Sequence, residues 1–147
     1  MTIPENPSLA DLQVLVGDWN IELRFPNSPS SVMGHASYEW LEDGAFLVMH
    51  TGSKQAGTPY STCIVGRDDV SKPYTMLYFD NRGVSRVYMM SLEGKQWKQW
   101  RDNPGFSQRF FGELSDDGNT IRARWEKCED GKEWAHDFDL IYTRVVK

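Results

Sequence analysis

The 147-residue chain is poor in the residues that build metal and disulfide sites: two cysteines, Cys63 and Cys128, and three histidines, His35, His50 and His136. Their spacing matches no metal-ligand motif, and a single pair of cysteines gives no disulfide framework. A chain of this length needs no covalent staple, so both cysteines are expected as thiols. Long apolar runs are also lacking. Nothing approaches the ~20 residues of a membrane-spanning helix, and Met1 to Ala10 carries neither the basic nor the apolar segment of a secretory signal. The expectation is a cytoplasmic chain with no membrane partner. Basic runs are missing too. Sixteen Lys and Arg are interleaved with 21 Asp and Glu, for a net charge of −5. Arg122, Arg124 and Lys127 are interrupted by Glu126 and followed by Glu129 and Asp130. Displacing counterions from a phosphate backbone takes clustered cations, so nucleic acid is not an expected partner. Finally, the chain has no Gly-x-Ser-x-Gly, His-Glu-x-x-His, phosphate loop or dinucleotide fingerprint.

Aromatic residues, in contrast, make up 13% of the chain. Each buries a large apolar area, so a substantial core is available. One short helix is expected over 8–16. Ser8 would cap it, Asp11 would favour its positive end, and Leu9, Leu12, Leu15 and Val16 would share one face before Gly17 ends it. The pattern then changes to period two: Trp19, Ile21, Leu23 and Phe25 alternate with Asn20, Glu22 and Arg24, as in a half-buried strand. Nine clusters of turn residues, from Pro26-Asn27-Ser28-Pro29 to Glu129-Asp130-Gly131, divide the rest into strand-length segments, ten strands in all between 18 and 145. Short connections pair neighbours as hairpins, and a ten-stranded meander hides its two edges by closing on itself. The expected fold is all-β: one domain over 1–147, a ten-stranded antiparallel up-and-down barrel with the helix plugging one mouth. Eight strands leave room for side chains or one small ligand, and ten leave more.

Gly17-Asp18-Trp19 resembles the Gly-x-Trp motif that opens the first strand of calycins, the lipocalin and fatty-acid-binding superfamily. The resemblance implies that Trp19 closes the barrel base and that Arg144, near the end of the last strand, packs across it. The chain as a whole is similar to an uncharacterised family of small bacterial calycin-like barrels. The segments that carry this are Leu15 to Trp19, Tyr78 to Gly83, Ser115 to Gly118 and Trp134 to Phe138. That family lends a fold and no activity. Related nitrobindin-like barrels bind haem through one histidine, but their glycine-rich surface motifs are not found here.

Alternation sorts several side chains. Ile121, Ala123 and Trp125 are expected inside and Arg122, Arg124 and Glu126 outside. Phe106, Gln108, Phe110 and Leu114 are expected inside, with Arg109 outside. His136 shares alternation with Trp134, Phe138, Leu140 and Tyr142 and is expected to point inward. His50 ends a run of apolar residues and would line the barrel near a mouth, while His35 is expected to be exposed. Strands 74–80 and 84–92 are apolar on both faces, so their register stays open. Tyr78 and Tyr88 would present hydroxyls from these adjacent strands, and Asp80 and Arg86 would pair across their hairpin. Asp137 and Asp139 read as outer-face charge.

The function expected is the binding of a small, mostly apolar molecule, oriented by His136, Gln108, Tyr78, Tyr88 and His50. A rival reading is an isomerase-, cyclase- or lyase-type enzyme using His136 or a tyrosine in a dry cavity. Haem held by His136 or His50 is a third, and an interaction module with an apolar outer face a fourth. No metal is expected, and the oligomeric state is open between monomer and homodimer.

Overall fold

Leu9, Leu12 and Leu15 recur every three residues, which is the repeat of a 3₁₀ helix and not of an α-helix. A computed structural model, which describes residues 7–53 and 59–146, places a 3₁₀ helix at Pro7–Leu15. All three leucines are fully buried. The short helix expected over 8–16 is present, as a 3₁₀ helix one residue earlier: Ser8 lies inside it and not at its cap, and Val16 follows it, its N–H bonded to the Gln13 carbonyl at 3.1 Å. Runs of 3₁₀ helix this long are uncommon. Burial of the leucine row is what holds it.

Ten strands follow: β1 (Gly17–Arg24), β2 (Val32–Leu41), β3 (Phe46–Gly52), β4 (Ser61–Gly66), β5 (Tyr74–Asp80), β6 (Ser85–Glu93), β7 (Gln96–Arg101), β8 (Ser107–Leu114), β9 (Thr120–Cys128) and β10 (Ala135–Arg144). Each pairs antiparallel with its sequence neighbour, and β1 pairs with β10 to close the barrel. A turn cluster falls at every gap between strands. No helix among the described residues is long and apolar enough to cross a membrane.

One end of the barrel is filled. Trp19 lies opposite Arg144 across the β1–β10 seam. Its indole Nε1 donates to the Leu15 carbonyl at 2.9 Å, which ties the helix to the first strand. The Arg144 guanidinium lies 4.2 Å from the centre of the Trp19 ring. It also donates to the carbonyls of Val16 (2.6 Å), Val14 (2.8 Å) and Gly118 (3.1 Å). Gly17 makes this possible. Its φ is +133°, and a Cβ there would come within 2.6 Å of an Arg144 nitrogen. Above this base, Trp97 packs against Tyr38, Phe110 and Tyr142.

The two central strands now have a register. Tyr74, Met76 and Tyr78 of β5 face inward, as do Tyr88, Met90 and Leu92 of β6. Outside, Val48, Ile64, Leu77 and Val87 lie in one cross-strand row over β3 to β6. Leu77 and Val87 in that row are exposed. Two apolar faces on the same strands are what made the sequence unreadable there.

Candidate functional site

Beyond the Trp97 layer, toward the end where β1 finishes and β10 begins, the barrel is hollow. The cavity measures about 520 Å³, within the roughly 300–1,000 Å³ of small-molecule sites. Its inner wall is apolar, formed by Met49, Met76, Phe110 and Leu140 among others. Its outer part carries Tyr78, Tyr88, Gln108, Arg82 and Arg86. Alternation sets which side chains line it: on each strand, every second residue enters the lumen.

The polar groups form three sets. First, Tyr38 and Tyr142 are buried in the lumen wall, and Thr51 lines the same cavity. Burial raises both tyrosines above their ordinary range. Cys63, beside them on the wall, is pushed up to about 12 by burial. Second, the Tyr88 hydroxyl donates to Gln108 Oε1 at 2.6 Å, and Arg86 donates to the same oxygen at 3.3 Å. Tyr88 is raised chiefly by burial, with Arg86 and Arg101 opposing. Its ring stands edge-on to Tyr78 and Trp125. Third, the Tyr78 hydroxyl donates to Asp80 at 2.7 Å, and Arg82 donates to the same carboxylate oxygen at 2.7 Å. The Arg82 guanidinium holds Asp80 well below the usual carboxylate range, helped by Tyr78. Burial, then the bond to Asp80, raises Tyr78. All four lumen tyrosines therefore stay neutral across the physiological range and serve as hydrogen-bonding groups, not as bases.

Of the five residues expected to orient a ligand, Tyr78, Tyr88 and Gln108 meet at the cavity. His136 and His50 do not. The paired register steps from Phe138–Trp125 to His136–Glu126, a bulge that puts two β10 positions against one on β9. Alternation is broken there. His136 faces out, 2.8 Å from Asp139, with its side chain 40% exposed. Asp137, expected outside, lies on the cavity rim. Trp134 precedes the strand, under the Arg109 guanidinium at 4.0 Å. His50 points outward from β3, with Nδ1 3.2 Å from the Thr62 hydroxyl, in a surface depression that also holds His35. A haem in the cavity would therefore find no histidine ligand among the described residues. Nor do those residues contain a cluster of three metal-ligating side chains. Asp80 pairs with Arg82 and not with Arg86, whose side chain enters the lumen.

Sequence reasoning missed Arg86, Arg82, Tyr38 and Thr51 at the cavity. The alternation of Tyr88, Met90 and Leu92 would have carried Arg86 inward, had the equally apolar outer face of β6 not left the register undecided.

These features define a class: a closed ten-stranded antiparallel barrel, plugged at one end and hollow at the other. Among solved structures, the chain is similar to the crystal structure of Rv2717c from M. tuberculosis. The TM-score is 0.68 and the identity 13%, over 96% of this chain and 99% of that one. At this identity the likeness establishes the fold. The sequence matches no protein-family profile and no curated protein.

Proposed function

We propose that the chain is a calycin-like binding protein that takes a small, mostly apolar molecule into the barrel cavity. The supporting observation is the hollow itself. In interiors packed to crystal-like density, a void of about 520 Å³ is not a packing defect. Apolar walls supply the affinity, while Tyr78, Tyr88 and Gln108 at the outer end orient the guest. The Arg144–Trp19 base closure and the buried helix keep the other end shut, so entry is from the rim beside Arg82.

The uncharged fluorophore phenylnaphthylamine tests this. It should bind with saturable fluorescence enhancement, and Cys63→Phe, which projects a ring into the lumen, should abolish the signal while near-ultraviolet circular dichroism shows an intact barrel. Binding that persists unchanged in a folded Cys63→Phe protein would place the probe elsewhere and overturn the reading. Absence of binding to the wild-type barrel would overturn it equally.

A further inference from the structure

Gln99 is a buried amide without a partner. It stands in the middle of β7 and lines the cavity. Leu92, Trp97 and Gly112 lie in register across β6, β7 and β8 nearest the plug, and Met90, Gln99 and Phe110 form the next row. Arg101 and Gln108 come after it toward the open end. Gln99 is 5% exposed, and no other amide or charged side chain among the described residues is buried to that degree. Its two register partners, Met90 and Phe110, are apolar. The Gln108 carbonyl oxygen is taken by Tyr88 and Arg86. The side chain of Gln99 makes no hydrogen bond to any described residue. Trp97, two residues back on the same face, has an indole N–H that is sealed off and also without a partner. The Gln99 amide is not sealed off: both of its ends reach the cavity surface.

A carboxamide carries two N–H donors and a carbonyl with two lone pairs. Holding these unmet in an apolar wall lowers the stability of the empty barrel. Leucine or methionine at position 99 would fill similar space without that cost. Buried polar groups in proteins are almost always bonded, and departures from that rule fall at functional sites. The partner of Gln99 therefore comes from outside the chain. Its chemistry follows from the amide, whose donor and acceptor lie side by side in one plane. A planar neutral group with an N–H beside a carbonyl satisfies both at once. An oxyanion would face the carbonyl lone pairs, and an ammonium would face the amide N–H groups.

We infer that the cavity's guest carries an uncharged amide-type edge, of the lactam, cis-amide, urea or imide class, that pairs with Gln99 through two hydrogen bonds. This inference rests on the cavity being a ligand site. The apolar body of the guest lies on the Met49, Met76 and Leu140 wall.

Two isosteric probes isolate that edge. 2-Quinolone and coumarin share their fused rings and their ring carbonyl, and differ in an N–H against an oxygen. Calorimetric titration of the wild-type barrel should show the lactam bound about tenfold more tightly than the lactone, or better, because the lactone leaves the Gln99 carbonyl unmet. Gln99→Met keeps the length of the side chain and removes the amide. It should bring the lactam down to the affinity of the lactone. The empty Gln99→Met barrel should melt at or above the wild-type temperature, since no internal hydrogen bond is lost. A structural role for the amide predicts a lower one. Equal affinities in the wild type (no binding of either probe included), a preference that survives Gln99→Met, or a lowered melting temperature would each overturn the inference. Phenylnaphthylamine binding would in those cases still leave the cavity as a site for apolar guests. Failure of phenylnaphthylamine and both bicyclic probes together would remove the proposed function as well.

Discussion

The Arg144 guanidinium stacks 4.2 Å from the centre of the Trp19 ring and spends its N–H groups on carbonyls of the helix and of the β8–β9 turn. One side chain thus joins the closing strand, the opening strand, the plug and a distant turn. Arg144→Ala should cost about 2–4 kcal/mol, because it strips the partner from the Val16 carbonyl and removes the stacked plane together. Arg144→Lys should recover only a small part of this, since an ammonium lacks the forked planar geometry. Urea unfolding midpoints measure both. A wild-type midpoint in Arg144→Ala would mean that the base is held by the leucine row alone.

Gly17 is coupled to the same arginine. Gly17→Ala meets two penalties: a φ of +133° and a Cβ 2.6 Å from an Arg144 nitrogen. The expected cost is about 2 kcal/mol or more. In an Arg144→Ala background the contact disappears and the backbone penalty remains. The double mutant should therefore be less destabilised than the sum of the singles, by about 0.5 kcal/mol or more. Strict additivity would show that the close approach carries no energy.

Much of this architecture was legible because it depends on local periodicity. Period-two alternation in Trp19, Ile21, Leu23 and in Ile121, Ala123, Trp125 gave both strands and their inward faces. Turn residues gave the number of strands, and closure followed from the edges a meander must hide. The cavity was less legible for two physical reasons. A bulge at His136 breaks alternation without a sequence signal such as glycine or proline. The outward row of Ile64, Leu77 and Val87 makes the central strands apolar on both sides, so Arg86 could not be assigned to the lumen. The leucine repeat of exactly three between positions 9 and 15 did carry the 3₁₀ geometry, but an α-helical stripe accommodates the same leucines.

Alkaline pH should unfold the barrel. Tyr38, Tyr78, Tyr88 and Tyr142 are all raised above the ordinary value of 10.0 by burial, and Cys63 is raised from 9.0 to about 12. These groups lose their protons more readily in the unfolded chain. Above pH 9 the unfolded state therefore binds fewer protons than the native one, and stability falls as pH rises. Each group adds up to about 1.4 kcal/mol per pH unit to that slope. Ultraviolet titration of tyrosinate should show a large part of the absorbance appearing together with loss of the β-sheet circular dichroism. Reversible, independent titration of these tyrosines in a folded barrel would contradict their burial.

At the acid end the sign reverses. Asp80, whose side chain has no exposed surface, is depressed below the ordinary 3.8 by the Arg82 guanidinium, with support from Tyr78. The unfolded state then binds the proton first. The stability this carboxylate supplies is complete above its unfolded value and drains away as pH falls toward the depressed one. Asp80→Asn should lower stability at neutral pH and flatten the acid limb of the stability curve between pH 4 and pH 2, in the window set by ordinary and depressed carboxylates. Denaturant midpoints collected across that range provide the check. Parallel curves for the two proteins would show that Asp80 is not a stabilising ion partner in the native state.

Binding separates lumen residues from outer ones. Because His136 is turned out toward Asp139 and His50 toward Thr62, His136→Ala and His50→Ala should leave phenylnaphthylamine affinity within about twofold of wild type, as expected for surface changes worth under ~0.5 kcal/mol. Tyr88→Phe keeps the ring against Trp125 and removes the donor to Gln108. It takes one of two donors from the Gln108 carbonyl at the cavity's outer end, so it should weaken phenylnaphthylamine by about threefold or more. Fluorescence titration of the three variants decides the matter. A histidine variant that loses affinity while Tyr88→Phe does not would mean that the bulge fails to hold His136 outside when a guest is bound.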